Sequence, residues 1–570
     1  MPGIFGLCLE NKGSHIHFHA MTQKMRLMPT VNIKSVSENP EFCCATSHIG
    51  HFNHHDIPNT DVQCWFDGEL YHSAHSTHDN GPEPEPAEQL RNAYLAGKLA
   101  SFLGAADGAF NAVIYDVMQG KVLLIADRYG MRNLYYQNSY KGLCFAAEVK
   151  AILAARLTVA ELDPLSFDCF MELGYLLEDH SWFNNIKLLP PATILEFDKR
   201  QNISRLQRYW QWSEIKQQTL SFDDAVDQAA ELMLESVKKR FDPNSNQGVS
   251  LSGGLDSRFI LACIHKLWPD YPGQAYTFGT EECADITISK EVIRQTPNWK
   301  HYINLFTADN WLSPRIQKVL MTDGMLDMQH MHGSEFLQLL NYKIDMNGYA
   351  GDAILGGSLL NAQSCDQRIT PALAKQFYGP FTGYCNLNDS TYHLPHFEPH
   401  LYMNRIRRFT QMGVVNGQFD MEIRRPFMSN KLLELVFSIP DHYRLNNKLY
   451  GTLLSRHFPK FYHNIRWQKT GWPVSEQCPE GTAAVSGIAP PDFGKLQAYI
   501  NYENLIRQPD TFAFLTKLLN NPNTLWRQLT NIDYYKDFFI PHVYSNLNRC
   551  NKILRLATVE IYLQNIKADY

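Results

Sequence analysis

The stretch Gly248-Val249-Ser250-Leu251-Ser252-Gly253-Gly254-Leu255-Asp256-Ser257 decides how this chain is read. A short apolar strand runs into two adjacent glycines, and a helical pattern, Arg258 to Leu267, follows. Paired glycines let the backbone turn tightly and approach a ligand closely. A helix that begins at Asp256-Ser257 presents free N–H groups and the positive end of its dipole. Ser252 and Ser257 add hydroxyls, so the loop is an anion nest suited to phosphate oxygens. It lacks the Gly-Lys-Ser/Thr ending of a Walker loop. A plain strand-to-helix turn is the competing reading, and the full Ser-Gly-Gly-Leu-Asp-Ser string argues against it.

Working outward, Phe222 to Arg240 carries apolar residues at helical spacing: Ala225, Ala229, Leu232, Met233 and Val237. Gln274 to Gly279 reads as the next strand. Alternating strands and helices indicate a doubly wound parallel sheet. Upstream, Val113-Ile114-Tyr115-Asp116 and Val122-Leu123-Leu124-Ile125 flank Met118-Gln119-Gly120, a hairpin signal. Glu148 to Leu153 begins a helical run. His75 to Gln89, with its Pro-Glu alternation, reads as a surface loop. His15, His17 and His19 alternate, which predicts one face of a strand and a weak metal-binding candidate. His51, His54 and His55 form a similar group. The character of the chain changes near Trp210-Gln211-Trp212, so two domains are expected, 1–209 and 210–570.

The chain has 570 residues, 44% hydrophobic and 12% aromatic, enough for large cores. Its formal net charge of −6 excludes a broad basic surface, so no nucleic-acid partner is expected. No run of about 18 apolar residues occurs, and no membrane span is expected. Met1 to Phe5 lacks the charged and apolar regions of a signal peptide. The 12 cysteines show no CxxC pair. A reduced, cytoplasmic setting is the expectation.

Ser-Gly-Gly-Leu-Asp-Ser resembles the pyrophosphatase-type loop of the asparagine synthetase superfamily. Further motifs follow in order. Thr277-Phe278-Gly279 with Asp285 resembles the nucleotide-contacting strand and loop. Gly348-Tyr349-Ala350-Gly351-Asp352 resembles the second glycine-rich motif, and Arg425-Pro426-Phe427 the segment after it. Arg444 to Lys448 and Lys469-Thr470-Gly471 resemble the two lysine elements. The resemblance implies a C-terminal Rossmann-like ATPase domain that adenylates a carboxylate, which an amine then attacks. It implies ATP contacts at Leu251, Ser252, Gly253, Gly254, Asp256, Ser257, Phe278, Gly348 and Lys448. Asp256 and Asp352 are hard oxygen ligands that suit Mg²⁺ held against a pyrophosphate, although Asp256 also suits a helix N-terminus. Lys469 is the candidate that neutralises the leaving phosphates.

The first half resembles the family's glutaminase, an N-terminal-nucleophile hydrolase with an αββα sandwich. Gly3-Ile4-Phe5-Gly6, Phe66 to Tyr71, Asp107-Gly108 and Asp127-Arg128-Tyr129-Gly130 carry that likeness. The family places a nucleophilic cysteine directly after the initiator methionine, and Pro2 stands there instead. Asp67 replaces an oxyanion-hole asparagine, and Cys8 lies inside a strand. An inactive glutaminase is therefore expected. Tyr349 resembles the tyrosine of β-lactam synthetases, and a glutaminase-deficient relative is also found among lasso peptide macrolactam cyclases. That likeness implies Tyr349 in a proton relay, with Glu422 as its candidate partner. The implied substrate is a small molecule or a peptide, the latter with a precursor peptide and a leader peptidase as partners. Asparagine synthesis from ammonia, β-lactam closure and a scaffold with a decayed ATP site remain alternatives. Met325 to His332 reads as pocket lining, and Ser475 to Gly494 as a mobile segment that orders over substrate.

Overall fold

A computed structural model describes residues 2–10, 13–49, 56–71, 84–474 and 500–567. The strand β1 (Gly3–Leu9) shows how the first half is layered. Its side chains alternate. Ile4 and Cys8 enter one core with Phe42, Trp65, Val113 and Leu124. Phe5, Leu7 and Leu9 enter another, with Phe18 and Met21 of the helix Ser14–Met25 and Ile152 of the helix Val149–Ala155. β1 is thus buried on both faces.

It lies in a six-stranded sheet with β2 (Val31–Glu38), β3 (Phe42–Ile49), β7 (Tyr135–Ser139), β8 (Gly142–Ala146) and β9 (Lys187–Leu188), ordered β2-β3-β1-β8-β7-β9. The facing five-stranded sheet comprises β4 (Val62–Tyr71), β5 (Asp107–Asp116), β6 (Lys121–Ala126), β10 (Thr193–Asp198) and β11 (Ile203–Arg208), ordered β11-β10-β6-β5-β4. The helices Pro86–Leu95 and Leu99–Ala105 cover its outer face. The result is an αββα sandwich, and β5 and β6 pair as the expected hairpin.

Two local expectations change. His15, His17 and His19 lie on the helix Ser14–Met25. Ser14, Phe18, Met21 and Met25 are its buried residues, spaced at helical intervals that the alternating histidines mask. His15 and His19, four apart, share one side of the helix, but His17 points away from it, so the three do not share a face. Pro86 to Gln89, read as loop, begins a helix with proline in its first turn and Ala87 and Leu90 buried. His51, His54, His55 and residues 475–494 lie outside the described residues.

The helix Phe222–Arg240 opens the next layer. Ser221 caps it by accepting from the Asp224 N–H at 3.1 Å. Asp223 and Asp224 occupy its first turn, while Lys238, Lys239 and Arg240 occupy its last. A five-stranded parallel sheet follows: β12 (Gln247–Ser250), β13 (Gln274–Gly279), β14 (Lys300–Leu305), β15 (Ile344–Met346) and β16 (Glu422–Arg424). Its order is β14-β13-β12-β15-β16. The chain builds outward from β12 on one side and then resumes at β15 on the other. The crevice between β12 and β15, beyond their carboxyl ends, is where such sheets bind ligands.

Buried arginines join the sandwich to this layer. Arg407 donates to Gly130 O at 3.2 Å and Leu189 O at 2.7 Å. Gly130 has φ +62°, and a Cβ there would lie 2.5 Å from Arg407 Nε. Arg425 donates to Met131 O at 2.9 Å, and Arg240 to Asp107 at 2.9 Å. The C-terminal helix Cys550–Ile566 returns to the sandwich, where Arg555 donates to Met171 O at 2.9 Å. Arg407→Leu would leave two buried carbonyls unpaired. It is expected to lower stability by roughly 2–4 kcal/mol, read as a lower urea midpoint for the first unfolding transition. An unchanged midpoint would show that these contacts carry no net stability.

Candidate active site

The glycine loop leaves β12 at the centre of the parallel sheet. Asp345 on β15 pins its start, with Ser250 N donating to the Asp345 carboxylate at 2.8 Å. Thr277 Oγ1 donates to Leu251 O at 2.7 Å and fixes the turn against β13. Ser257 Oγ accepts from Ser252 N at 3.1 Å, closing the loop across the first helical turn. Gly253 N donates to Asp285 at 2.8 Å. Ser252 and Ser257 therefore shape the loop as well as presenting hydroxyls to it. Leu251 is buried, and Phe278, half-buried, ends β13 facing Phe306 and His332.

The second glycine motif follows β15 and presses on this loop. A Cβ on Gly348 would sit 2.9 Å from Ser257 N, and one on Gly351 would sit 2.6 Å from Asp256 Cγ. Only glycine permits that approach. Ala350 between them adopts φ +62°, a left-handed conformation disfavoured for alanine. The approach brings the two acids together: Asp352 N donates to Asp256 Oδ2 at 3.0 Å. Tyr450, on the helix Lys448–His457, donates to Asp256 Oδ1 at 3.0 Å.

Asp256 keeps some solvent contact yet lies deep among protein atoms. Burial, and then the nearby Asp352 carboxylate, push its pKa up to about 8. A pair of carboxylates so placed, one of them disfavoured as an anion, fits a divalent cation.

The segment bearing Lys469 is tied to the same loop. Gln468 N donates to Gly253 O at 3.2 Å, and Gln468 Nε2 donates to Asp285 at 2.8 Å. Arg258, fully buried, donates to Gly253 O at 3.2 Å and Arg466 O at 2.7 Å. Lys469 itself is exposed, with Nζ 5.6 Å from the Trp467 ring. Lys448 is exposed too, its Nζ 4.7 Å from the Phe222 ring centroid. Asp345, Tyr450, Gln468 and Arg258 are site-building residues that the sequence reading did not single out. Three of them lie within two residues of a motif residue, which is the signal they offered.

The expected Tyr349–Glu422 pair does not form. Tyr349 is 5% exposed and donates to Ile406 O at 3.2 Å. Burial pushes its phenol up, beyond what Arg425 and Arg407 offset, so it is not poised to take a proton. Glu422 starts β16 in register with Ile344, at the opposite end of the sheet from the glycine loop. There it pairs with Arg132. The Met325 to His332 segment places His332 against Phe278, with ring centroids 6.3 Å apart.

Away from the glycine loop, a cavity of about 400 Å³ has Pro2, Asp67, Arg132 and Glu422 in its lining, where the resemblance implies a glutaminase nucleophile. Among the described residues, no cysteine, serine or threonine lines it. Arg132 grips Asp67 at 3.2 and 3.3 Å. Cys8 is buried in the sandwich, where desolvation pushes its thiol up to about 12.

Comparison with known proteins bears on these two sites. A glutamine amidotransferase domain family matches residues 87–210, and the asparagine synthase family matches residues 228–409. A probable glutamine-hydrolyzing asparagine synthetase of Acanthamoeba polyphaga mimivirus is 28% identical over 232 residues, 40% of each chain. The match thus spans two fifths of that relative. A putative glutamine-hydrolyzing asparagine synthetase of Methanocaldococcus jannaschii is 22% identical over 70% of this chain and 69% of its own. The Gallus gallus asparagine synthetase is 21% identical over 77% of this chain and 75% of its own. Among solved structures, the allosteric regulatory enzyme of purine biosynthesis overlaps 53% of this chain and 80% of its own, at 8% identity and TM-score 0.27, too low to carry an argument. An amidotransferase-type domain preceding an asparagine synthase domain, with relatives matched across both, is the domain pair of the asparagine synthetase superfamily.

Proposed function

We propose that this chain is an ATP-dependent carbon–nitrogen ligase. A substrate carboxylate oxygen attacks the α-phosphorus of ATP and pyrophosphate leaves. An amine then attacks the acyl carbon, AMP leaves, and the amine gives up a proton. The observation that carries this reading is the contact between the two glycine loops, which sets Asp256 beside Asp352.

In this reading the backbone of Leu251 to Ser257 cradles the phosphates, and Gly348 lets the second loop close on them. Phe278 offers an aromatic face to the base. Asp256 and Asp352 would hold Mg²⁺, which neutralises charge on the pyrophosphate. Lys469, carried on a segment anchored to Gly253, offsets charge on the leaving phosphates. Lys448 reaches the pyrophosphate once it leaves the Phe222 ring.

The amine does not come from glutamine hydrolysed within this chain. Among the described residues, no cysteine, serine or threonine lines the cavity beside Pro2, and Asp67 with its arginine partner stands at the oxyanion position that the resemblance implies. An organic amine follows as acceptor. Lactam closure of a peptide, as in lasso peptide cyclases, is the finer reading and brings with it a precursor peptide and a leader peptidase. Tyr349 and Glu422 no longer contribute to that choice, because both are held in structural contacts. Asparagine formation is the second reading, favoured by the relatives' naming as glutamine-hydrolyzing asparagine synthetases; in this chain its nitrogen would be free ammonia.

Substrate-dependent ATP–pyrophosphate exchange tests the proposal, with aspartate, a β-amino acid and a short peptide bearing Asp or Glu. Exchange with one of them is expected, and exchange with none would favour a decayed site. Lys469→Ala should lower product formation at least 100-fold while ATP binding stays within a few-fold; full activity would remove its assigned role. Incubation with glutamine should release no glutamate, and sustained release would overturn the inactive-glutaminase reading.

Asp256 adds a pH test. Mg²⁺ and ATP would bind its ionised form, so binding should release most of one proton at pH 7 and little of one well above pH 8. Without ligand, the native chain holds a proton that an unfolded carboxyl sheds. That contribution to stability is complete below the ordinary carboxylate pKa and is lost as the pH rises through about 8. Calorimetry in two buffers of different ionisation heat measures the proton. Equal heats at pH 7 would show that Asp256 is already ionised.

A further inference from the structure

Glu178, Cys385 and His400 meet on one point between the sandwich and the synthetase layer. Glu178 lies beyond the helix Pro164–Leu173 and has φ +50°. Cys385 follows the turn Gly379–Tyr384, and His400 sits fully buried on the helix Glu398–Leu401. A carboxylate oxygen, the thiol sulfur and an imidazole nitrogen all lie within 4.8 Å of one another. Among the described residues, no other three His, Cys, Asp or Glu side chains converge in this way.

The histidine supplies an independent pointer. Its Nδ1 is 2.9 Å from Tyr378 Oη, which is 3.5 Å from His400 O. In the tautomer where this hydroxyl donates to the His400 carbonyl and accepts from Nδ1–H, Nε2 is a bare lone pair free to ligate. Nε2 is buried without a hydrogen-bond partner, and it lies 3.6 Å from Glu178 Oε1. Two ligands of one tetrahedral ion at bond lengths of about 2.0–2.2 Å are separated by roughly 3.5 Å. Asn386 N and Asn404 Nδ2, each 3.3 Å from Glu178 Oε1, hold the carboxylate in place.

We propose that Glu178, Cys385 and His400 bind a zinc-class divalent transition metal that clamps the two halves of the chain together. A thiolate and an imidazole select zinc-class ions over Mg²⁺. One thiolate and one carboxylate balance the two positive charges, and Cys385 gives up its proton on binding. Glu178, Tyr384, Asn386 and Tyr392 also line a cavity of about 310 Å³. Through it an ion would reach the Glu178 carboxylate, and a water would complete the fourth position. This site shares no residue with the Asp256–Asp352 pair, so its fate is independent of the ligase reading.

The test uses full-length protein stripped with a chelator and titrated with Co²⁺ without ATP. One equivalent should bind, with a near-ultraviolet thiolate-to-cobalt band and the visible bands of a tetrahedral site. Cys385→Ser should abolish the thiolate band, and His400→Ala should lower uptake at least tenfold. Cys263→Ser, a buried cysteine elsewhere, should change neither. Zn²⁺ should raise the thermal midpoint of the wild type by several degrees and leave Cys385→Ser unmoved. Absence of the thiolate band in the wild type, or equal uptake by Cys385→Ser, overturns the proposal. Should His400→Ala fail to fold, the near-isosteric Cys385→Ser decides.

Discussion

The contact on which the site depends is side chain against missing side chain. Gly348 and Gly351 have no Cβ, so the loop after β15 can lie on Ser257 N and on the Asp256 carboxyl group. Any larger residue at either position would hold the loops apart. Their closeness places Asp352 N on Asp256, while burial and then the Asp352 carboxylate leave Asp256 resisting ionisation. A carboxylate that is disfavoured as an isolated anion gains most when a cation arrives. The strained Ala350 between the glycines is consistent with a turn retained for this approach.

In the other half of the molecule, buried ion pairs cross to the synthetase layer. Arg132 holds Asp67 and Glu422 at once, while Arg424 holds Glu69, so acids from both halves are locked across their boundary. Groups committed to buried ion pairs are costly to separate. They hold the sandwich against β16 and leave little freedom around the cavity beside Pro2. Arg407 and Arg425 extend the same boundary through backbone carbonyls.

Much of this was legible in the sequence where a pattern is local. The glycine loop, the helix Phe222–Arg240 and the hairpin β5–β6 follow from period and turn chemistry within a few residues. Asp256 and Asp352 could be paired only through the family resemblance, because they lie 96 residues apart. The histidines of Ser14–Met25 misled because polar alternation hid a buried helical stripe. Tyr349 and Glu422 misled differently: their residue types suit proton transfer, but burial and strand register decide what they can reach. Gln468 and Arg258, which fasten the lysine segment to the loop, have no sequence signature of their own.

The central claim is that the two loops activate a carboxylate on the α-phosphate. Turnover of a substrate whose carboxylate carries ¹⁸O tests it most directly. Adenylation predicts one ¹⁸O in the AMP and none in inorganic phosphate or pyrophosphate. Label in inorganic phosphate with ADP as co-product, or unlabelled AMP alongside amide product, would contradict the account.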